Sequence, residues 1–531
     1  MLRPSLPYAL SLCSLLASAS AQCLVHTHTD YLAGEFDNFG TAVDVVGDTL
    51  IITGHRPNDS YGRMLLQTWN GTKWQLELAS SSGPGGDDWK HGHQAEIHAD
   101  VVAFTSPGHP ASPPWALGGM AFTWDYKQLL TAGLIRYWAS TPTHGAELGH
   151  SLSLWSGKVA LGAWKDDGAG EDAGAVHVYD RTGQPTTETQ LLRAADATPG
   201  ARFGSAVALR TQWLVVGASA EGSAQPGSIY LYERQGGSFV ERQKLLAPAP
   251  AAGDRFGAYL SLDGARLAVS APDAAGGTGR VHLYGLQDGV WVHQFEIAPP
   301  PGSQESNFGH DIDLDGQLLI VGAPQEGALD EGAAYLYRER AGQWELASTL
   351  LAPEPEADQR FGDSVALDGM RLIVGAPGTD HADLVDSGAA YQYEVRGLLD
   401  ELAGCPQTLS LGAGGTQELT IRAGSEHAGE LYLVLGSLSG TQPGMLLDGF
   451  RLPLVQDDYF AHTLLGQPSP LENAQGVLDE SGLAKLAFSF VPDELSHLLI
   501  GTQVHHAALL FDADSGALSA VTNSVPLLLA L

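Results

Sequence analysis

The stretch FGDSVALDGMRLIVGAP at 361–377 has a near-copy, FGHDIDLDGQLLIVGAP, at 308–324. Weaker copies occur upstream, and all of them align on the glycine of the FG pair. The aligned glycines are Gly40, Gly92, Gly149, Gly204, Gly257, Gly309 and Gly362, which are 52 to 57 residues apart. So regular a spacing indicates one structural unit repeated seven times.

Each unit predicts four antiparallel strands. FGSAVAL at 203–209 alternates apolar and polar residues, as a half-buried strand does. LDG at 367–369 suits a tight hairpin turn, and the apolar strand RLIVGAP follows at 371–377. An aromatic strand such as GAAYLYR (332–338) and a last strand such as QWELASTLLAP (343–353) complete the unit. Four such strands are the content of one propeller blade.

The pairing of FG with GAP resembles the FG-GAP repeat of integrin α-subunit propellers and of many secreted bacterial proteins. Four units match well, at 216–219, 269–272, 321–324 and 374–377, which read VGAS, VSAP, VGAP and VGAP. The first three units are degraded, and the resemblance covers residues 23 to about 398. It implies an all-β fold with a seven-bladed β-propeller over 22–400. The residues of the FG and GAP pairs are interpreted as structural.

The seventh unit has no fourth strand after GAAYQYE (388–394), whereas CLVHTHTDYLA (23–33) precedes the first FG and has no blade of its own. We predict that this N-terminal segment completes blade seven and closes the ring. A disulfide between Cys23 and Cys405 would clamp the closure, because these two cysteines remain once Cys13 is removed with the leader described next.

The first 21 residues predict a secretory signal peptide. A single Arg3 is followed by an apolar stretch through Leu16, and Ala19-Ser20-Ala21 fits a cleavage site. No later stretch is apolar for long enough to span a bilayer. We therefore expect a secreted or cell-surface protein, without membrane insertion, whose mature chain begins at Gln22.

The 531-residue chain has a formal net charge of −34. Such a balance excludes nucleic acid as a partner, because a phosphate backbone requires a basic footprint. It equally disfavours an anionic membrane surface. The composition is compatible with a soluble exported protein, expected to be a monomer, or with weak cation binding by many carboxylates.

Integrin-type repeats often carry a D-x-[DN]-x-D-G-x-x-D loop that binds Ca²⁺. Asp311, Asp313, Asp315 and Gly316 imitate the first half of that loop, but Leu319 occupies its last position. The sequence predicts Asp313 at the end of a strand and Asp315 in a turn. This departure from the family pattern puts the calcium sites in doubt. No cofactor is assigned, and Ca²⁺ stays an alternative.

Two loops between the second and third strands of their units are rich in acidic residues, on the face by which integrin-like propellers engage partners. Solvated loops are the favoured interpretation, and a hard-cation site is the alternative. The ligand candidates in these loops are Asp166, Asp167, Asp172, Asp380 and His381. The candidates for a metal are Glu171, Asp383 and Asp386.

Loop tryptophans are the other ligand candidates. Trp115 lies in SPGHPASPPWALGG (106–119), and Trp164 is expected on the same face. An exposed indole beside Asp and His suits stacking against a sugar or gripping a protein loop. The alternative, that these rings merely cover blade edges, stays open. Strand tyrosines and the paired histidines are interpreted as packing between strands and blades, and no catalytic motif occurs.

Beyond residue 405 the period is lost. Seven or eight short strands with Gly and Asp turns predict one β-sandwich over 405–531, with no visible site.

The leading functional hypothesis is a secreted, non-enzymatic binding or adhesion protein that uses the loop face of a rigid propeller to recognise an extracellular protein or glycan. One alternative is a propeller-based polysaccharide hydrolase or lyase. A structural envelope or matrix component is another. Convergent carboxylates with a His or Tyr at the axis would favour an enzyme, whereas loop aromatics at the rim would favour binding.

Overall fold

The chain divides into two compact units, Val25–Val395 and Arg396–Leu531. The computed structural model describes residues 24–29, 38–55, 62–70, 73–81, 92–108, 118–128, 134–141, 143–181, 187–222, 224–303, 305–340, 342–369, 371–381, 384–395, 402–405, 408–423, 427–441, 444–447, 450–465, 470–480, 482–492, 499–513, 515–522 and 524–530. The predicted signal peptide, Cys23, Trp115 and Asp383 lie outside these residues, so the predicted Cys23–Cys405 disulfide stays a prediction. Within the described part, no helix is both long and apolar enough to cross a membrane.

The described residues of the first unit form seven four-stranded antiparallel sheets, which we call blades 1 to 7. The chain begins with β1 (Leu24–His28). Blade 1 contains β2 (Ala42–Val46), β3 (Thr49–His55), β4 (Gly62–Trp69) and β5 (Trp74–Ser81). Blade 2 contains β6 (Ala95–His98), β7 (Val101–Ser106), β8 (Met120–Asp125) and β9 (Ile135–Tyr137). Blade 3 contains β10 (Ser151–Trp155), β11 (Lys158–Ala163), β12 (Ala175–Asp180) and β13 (Thr187–Leu192).

The later blades follow the same order. Blade 4 contains β14 (Phe203–Arg210), β15 (Trp213–Ala218), β16 (Ser228–Gln235) and β17 (Ser238–Leu245). Blade 5 contains β18 (Leu260–Asp263), β19 (Arg266–Ala271), β20 (Arg280–Gln287) and β21 (Val290–Ile297). Blade 6 contains β22 (Ile312–Asp315), β23 (Leu318–Ala323), β24 (Ala333–Arg340) and β25 (Gln343–Leu350). Blade 7 contains β26 (Val365–Asp368), β27 (Arg371–Ala376), β28 (Ala389–Glu394) and, as its outer strand, β1. A 3₁₀ turn at Tyr126–Gln128 and a helical turn at Ala274–Gly277 interrupt the loops.

Strand β1 occupies the position that the sequence leaves open in blade 7. It pairs with β28, and β2 of blade 1 contacts β26 and β27 of blade 7. The buried His28 ring joins the two blades. Its Nδ1 lies 2.8 Å from Gln67 Oε1 in blade 1 and its Nε2 lies 3.3 Å from Gln392 Oε1 in blade 7. Burial first, and the nearby His26 second, lower the pKa of His28 to about 4.

The FG and GAP glycines meet across the boundary between blades. At four of the seven boundaries the carbonyl oxygen of the FG glycine presses against the GAP glycine of the preceding blade, so a Cβ there would lie 2.0 to 2.1 Å from that oxygen. This contact joins Gly162 to Gly204, Gly217 to Gly257, Gly322 to Gly362 and Gly375 to Gly40. No side chain fits at such a distance, which explains why these four blades keep glycine at the GAP position.

Blade 1, whose signature is degraded, makes the same junction differently. Thr53 stands in blade 1 where later blades have the GAP glycine, and its hydroxyl donates to the carbonyl oxygen of Gly92 at 2.6 Å. A hydrogen bond therefore replaces van der Waals contact between blades, and the motif is lost while the junction is kept.

The FG phenylalanines fill the space between neighbouring blades, as predicted. Phe203 is fully buried, contacts Tyr230 and Tyr232 of its own blade at 5.2 and 6.4 Å between ring centres, and shares a core with blade 3. The same pairing of phenylalanine with two strand tyrosines recurs at Phe308 and Phe361. Burial of each ring contributes roughly 1.5–3 kcal/mol.

A belt of hydrogen bonds links the innermost strands. In one blade, the side chain of the residue four positions after the FG glycine is the acceptor. The donor is the backbone N–H of the residue five positions after the FG glycine of a following blade. Without this acceptor the N–H would be an unpaired group at a strand edge. The bonds join Asp44 to Ile97 (2.5 Å), Glu96 to Leu154 (2.8 Å), Ser153 to Leu209 (3.0 Å), Ser261 to Leu314 (3.0 Å) and Asp313 to Leu367 (2.8 Å).

The three aspartates that imitate a calcium loop belong to this system. Asp311, Asp313 and Asp315 lie on the edge of blade 6 that faces blade 7. Their carboxylates accept the N–H groups of Val365, Leu367 and Gly369 at 2.8, 2.8 and 2.6 Å. Asp313 therefore lies within β22 rather than at its end, and all three carboxylates set the register between two blades.

The second unit consists of further short strands and a helix. Its strands are β29 (Leu402–Cys405), β30 (Thr408–Ser410), β31 (Gly415–Arg422), β32 (Leu431–Ser437), β33 (Met445–Leu447), β34 (Phe450–Leu452), β35 (Leu471–Glu472), β36 (Gln475–Val477), β37 (Leu483–Phe490), β38 (Gln503–Phe511), β39 (Leu518–Val521) and β40 (Val525–Ala530). The sheets β29-β31-β37-β35 and β30-β40-β38-β32-β36 bury one common core. The helix Asp458–Leu464, which the sequence analysis missed, is capped by Asp457 through the N–H of Phe460 at 2.8 Å.

We predict that Gly375→Ala destabilises the propeller at its closing junction by about 1–3 kcal/mol, because the new methyl group would overlap the Gly40 carbonyl oxygen. Gly237→Ala is the control, since nothing lies within 4 Å of the methyl group it adds. Thermal and denaturant unfolding of both variants measure the difference. Equal stability of the two variants would show that the junction yields without cost.

Candidate functional site: an axial pocket

A pocket of about 480 Å³ opens at the FG end of the inner strands. Its wall is assembled from blades 2 to 6, so that it lies over the centre of the ring. The side chains in this wall that can bind a ligand or transfer a proton are those of His93, His150, Trp164, Arg202, Arg255, Tyr259 and Asp311. Small-ligand sites have this size and this mixture of aromatic and polar groups.

The backbone places the arginines. The residue two positions before the FG glycine adopts a left-handed conformation in the six units where the structure describes it, which costs a non-glycine residue about 1–2 kcal/mol. The residues with this positive φ are Asn38, Glu147, Arg202, Arg255, Asn307 and Arg360, at 48 to 58°. Arg202 and Arg255 reach the pocket wall from this turn.

Trp164 is held in place by polar neighbours. The His150 ring stacks on it at 4.2 Å and 14°, and the Arg202 guanidinium lies 4.7 Å from the ring centre. The indole N–H donates to Glu147 at 3.0 Å, and Lys165 pairs with the same carboxylate at 2.9 Å. Sequence reasoning placed Trp164 on this face as an exposed ring. The structure has it half-buried, as part of the pocket wall.

Tyr259 and His310 form a hydrogen-bonded pair at the pocket. His310 Nδ1 lies 3.0 Å from the carbonyl oxygen of Asp363, which can only accept, so Nδ1 carries the proton. In the neutral ring Nε2 then accepts the Tyr259 hydroxyl at 3.3 Å. Burial raises the pKa of Tyr259, so the phenol stays protonated at neutral pH.

The carboxyl group of Asp311 has a strongly raised pKa. Burial, reinforced by the charges of Asp313 and Asp363, raises its pKa to about 8, although N–H groups of Val365 and Ile312 donate to it. At neutral pH this carboxyl is therefore mostly uncharged, and the pocket wall is less acidic than its residue types suggest.

Further charged groups follow along the inner strands. Arg210 of blade 4 donates to Glu96 of blade 2 at 3.0 Å. Burial raises the pKa of Glu96 and, more strongly, that of Asp44. These groups take part in the hydrogen-bonded belt that holds the blades together, and we assign them to structure.

The predicted residues of the blade 3 loop have mostly structural contacts. Asp166 is buried, with its Oδ1 bound by Arg193 at 2.7 and 3.1 Å and its Oδ2 by Thr143 at 3.0 Å. Asp167 accepts the N–H of Asp172 at 2.9 Å, across the tip of the loop. Neither these aspartates nor Glu171 line the pocket.

The predicted residues of the blade 7 loop lie away from the pocket wall. Asp380 accepts the N–H of Asp386 at 2.8 Å, and His381 exchanges two backbone hydrogen bonds with Leu384. Burial raises the pKa of Asp386. Within the described ranges, no group of three or more His, Cys, Asp or Glu side chains could hold a metal ion.

The sequence analysis missed Arg202, Arg255, Tyr259 and the role of Asp311 in the pocket. One signal was present: arginine precedes the FG pair in three of seven units, RFG at 202–204, 255–257 and 360–362. Arg255 and Arg360 each pair with a carboxylate, Asp273 and Asp363, whereas Arg202 contacts the Trp164 ring.

Comparisons with known proteins identify the repeats. The family model described as FG-GAP repeat matches residues 186–232, 239–284, 291–337 and 344–393, which include the four units with an intact signature. A crystal structure of a protein from Lactobacillus plantarum is 16% identical, and the alignment covers 60% of this chain and 86% of that chain with a TM-score of 0.40. At this TM-score the likeness carries no weight. No curated protein sequence matches the chain.

We predict that Asp311 makes stability fall with rising pH. Its pKa is about 8 in the folded protein and near 3.8 when unfolded, so the folded state binds the extra proton between these values. Between pH 5 and pH 9 the free energy of unfolding of Asp311→Asn should rise by about 1–2 kcal/mol relative to that of the wild type. This is less than the full pKa shift implies, because the carboxyl is partly solvated. Denaturant unfolding at both pH values measures this. A pH-independent difference would contradict the shifted pKa.

Proposed function

The chain carries FG-GAP repeats that fold as a β-propeller, and we propose that it is an exported recognition protein that binds an extracellular glycan in the axial pocket. The observation that carries the proposal is the convergence of aromatic, cationic and hydrogen-bonding side chains from five blades on one cavity of about 480 Å³. The leader pattern at residues 1–21 supports export.

The shape of the site favours a glycan over a protein surface. Protein interfaces bury roughly 800 Å² per partner over broad patches. The pocket is instead concave and of a size that suits one or two sugar residues. Tyr259 offers its ring to sugar C–H groups, and Trp164 offers the part of the indole that His150 and Arg202 leave exposed, while His150 and Arg202 offer donors to hydroxyl or acidic groups.

A screen of the secreted chain on arrays of glycans and of extracellular proteins, with calcium and with chelator, tests the proposal. We expect a glycan to bind, and Trp164→Ala to weaken binding at least about tenfold, because hot-spot aromatic truncations cost upwards of 2 kcal/mol. Trp138→Ala is the control, since Trp138 is 53% exposed and does not line the pocket.

Three outcomes would contradict the proposal. Retention of glycan binding in Trp164→Ala would move the site to another loop. A protein hit without any glycan hit would favour adhesion through the loop face. Silence on both arrays would favour a structural role in an envelope or matrix.

A second candidate, a polysaccharide lyase, is favoured by the Tyr259–His310 pair. Hydrolysis of a glycosidic bond commonly requires two facing carboxyl groups, and Asp311 is the one carboxyl in the described pocket wall. Elimination on a uronate needs no second carboxyl group. A base removes the proton beside the carboxylate, that electron pair forms a carbon–carbon double bond, and the glycosidic oxygen leaves with its bonding pair and takes up a proton.

The lyase candidate has its own test. Incubation of the chain with oligogalacturonate would release unsaturated fragments, which mass spectrometry and ultraviolet absorbance detect. Tyr259→Phe should abolish release while leaving binding intact, because it removes the transferable proton and keeps the ring. Binding without any released fragment leaves the recognition proposal in first place.

A further inference from the structure

We propose that the axial pocket recognises a carboxylate, so that its ligand is an acidic sugar of the uronate class, and that Arg202 with Arg255 is the recognition pair. The inference rests on the proposed function and deepens it. It assigns a chemical class of ligand and two specificity-determining residues that the FG-GAP motif does not include.

The strongest observation is that Arg202 has no acidic partner among the residues that the structure describes. The chain has 61 acidic residues against 27 basic ones, and nine other arginines among the described residues form ion pairs with carboxylates. Among these described residues the Arg202 guanidinium forms no ion pair or side-chain hydrogen bond. It lies over the Trp164 ring, 4.7 Å from the ring centre. A half-buried, unpaired cation in so acidic a protein is suited to an anion from outside.

Arg255 is held only loosely. Its single ion pair, with Asp273, is 3.4 Å long, and the two side chains are 41% and 40% exposed. Such an exposed pair contributes little to stability. The guanidinium is therefore free to turn toward a bound anion without losing a strong bond, and Arg202 and Arg255 stand at equivalent positions of adjacent blades.

The local turn makes both arginines costly to place. Each has a left-handed backbone, φ 58° and 56°, which asparagine would adopt with less strain, as it does at 38 and 307. The backbone conformation therefore does not favour arginine at this position. A planar guanidinium pairs with a carboxylate through two parallel hydrogen bonds, which suits it for binding an acidic group.

The remaining charges of the wall do not oppose an anion. Glu147 is occupied by the Trp164 indole N–H and by Lys165. Asp311 is largely protonated at neutral pH because burial raises its pKa. The imidazole of His150 lies beside Arg202 against the same indole, and it is a further donor when protonated.

Matched ligands test the proposal on the full secreted chain. Trigalacturonic acid and its methyl ester share a sugar backbone and differ in charge, and isothermal titration calorimetry compares them. We expect the acid to bind and the ester to bind at least about tenfold more weakly. Added salt should weaken the binding of the acid but not that of the ester.

Variants locate the effect. Arg202→Gln should reduce the affinity for the acid about tenfold, whereas Arg202→Lys should retain part of it, because the charge is kept and the two-point geometry is lost. Arg242→Gln is the charge-matched control, since Arg242 pairs with Glu233 on an outer strand outside the pocket. Circular dichroism of each variant verifies that it is folded.

The outcomes separate this inference from the proposed function. Equal binding of acid and ester, or unchanged affinity in Arg202→Gln, would overturn the carboxylate assignment. A neutral glycan that binds in the array and is lost on Trp164→Ala, while trigalacturonic acid does not bind, would overturn it too and leave the recognition proposal standing. If no glycan binds, both the carboxylate assignment and the proposal of glycan recognition are overturned.

Discussion

The close approach of two glycines across four of the seven blade boundaries is the constraint on which the propeller depends. A carbonyl oxygen of one FG glycine occupies the place where a GAP glycine of the preceding blade would otherwise carry a Cβ. Because the contact is made near the axis, it sets how tightly the inner strands can be wound around the centre. The phenylalanine beside the FG glycine then fills the wider space farther out, so that one short motif determines both the spacing and the packing of blades.

Winding the inner strands so closely leaves one edge of each facing its neighbour, with backbone N–H groups that need acceptors. The chain supplies them from side chains, mostly aspartate, glutamate and serine. The centre of the molecule is consequently polar, and carboxyl groups there are removed from water. This explains why Asp44, Glu96, Asp311 and Asp313 all have raised pKa values without any catalytic purpose being required of them.

The sequence predicts the architecture better than the site, for a physical reason. The repeats are recognised from residues that packing requires to be small or apolar: the aligned glycine recurs in all seven units, and phenylalanine precedes it in five of them. The antiparallel strands and the FG-GAP repeats follow from that. The pocket is formed instead by positions that vary from blade to blade, such as His93, His150, Arg202 and Tyr259, which no period reveals. In the loop that looked functional, the carboxylates are engaged in structure: Asp166 pairs with Arg193 beyond β13, and Asp167 accepts the N–H of Asp172 within the loop.

The variable positions are also the ones that the framework leaves open to change. Of the residues one and two places after an FG glycine, His93, His150 and Tyr259 line the pocket. Others at these places also bond to the neighbouring blade, as Ser151 does to the Gly204 carbonyl oxygen and Asp311 to the N–H of Val365. Residues two places before the glycine precede it in a left-handed turn. Substitution of His150 or Tyr259 changes the wall of the pocket and leaves the contacts between glycines in place. A rigid ring thus holds the side chains of the pocket at separations set by packing, and little ordering would be needed for a ligand of the proposed class to bind. The strained turns at Arg202 and Arg255 lower stability slightly and in return hold two cations at the centre of a protein whose surface is otherwise acidic.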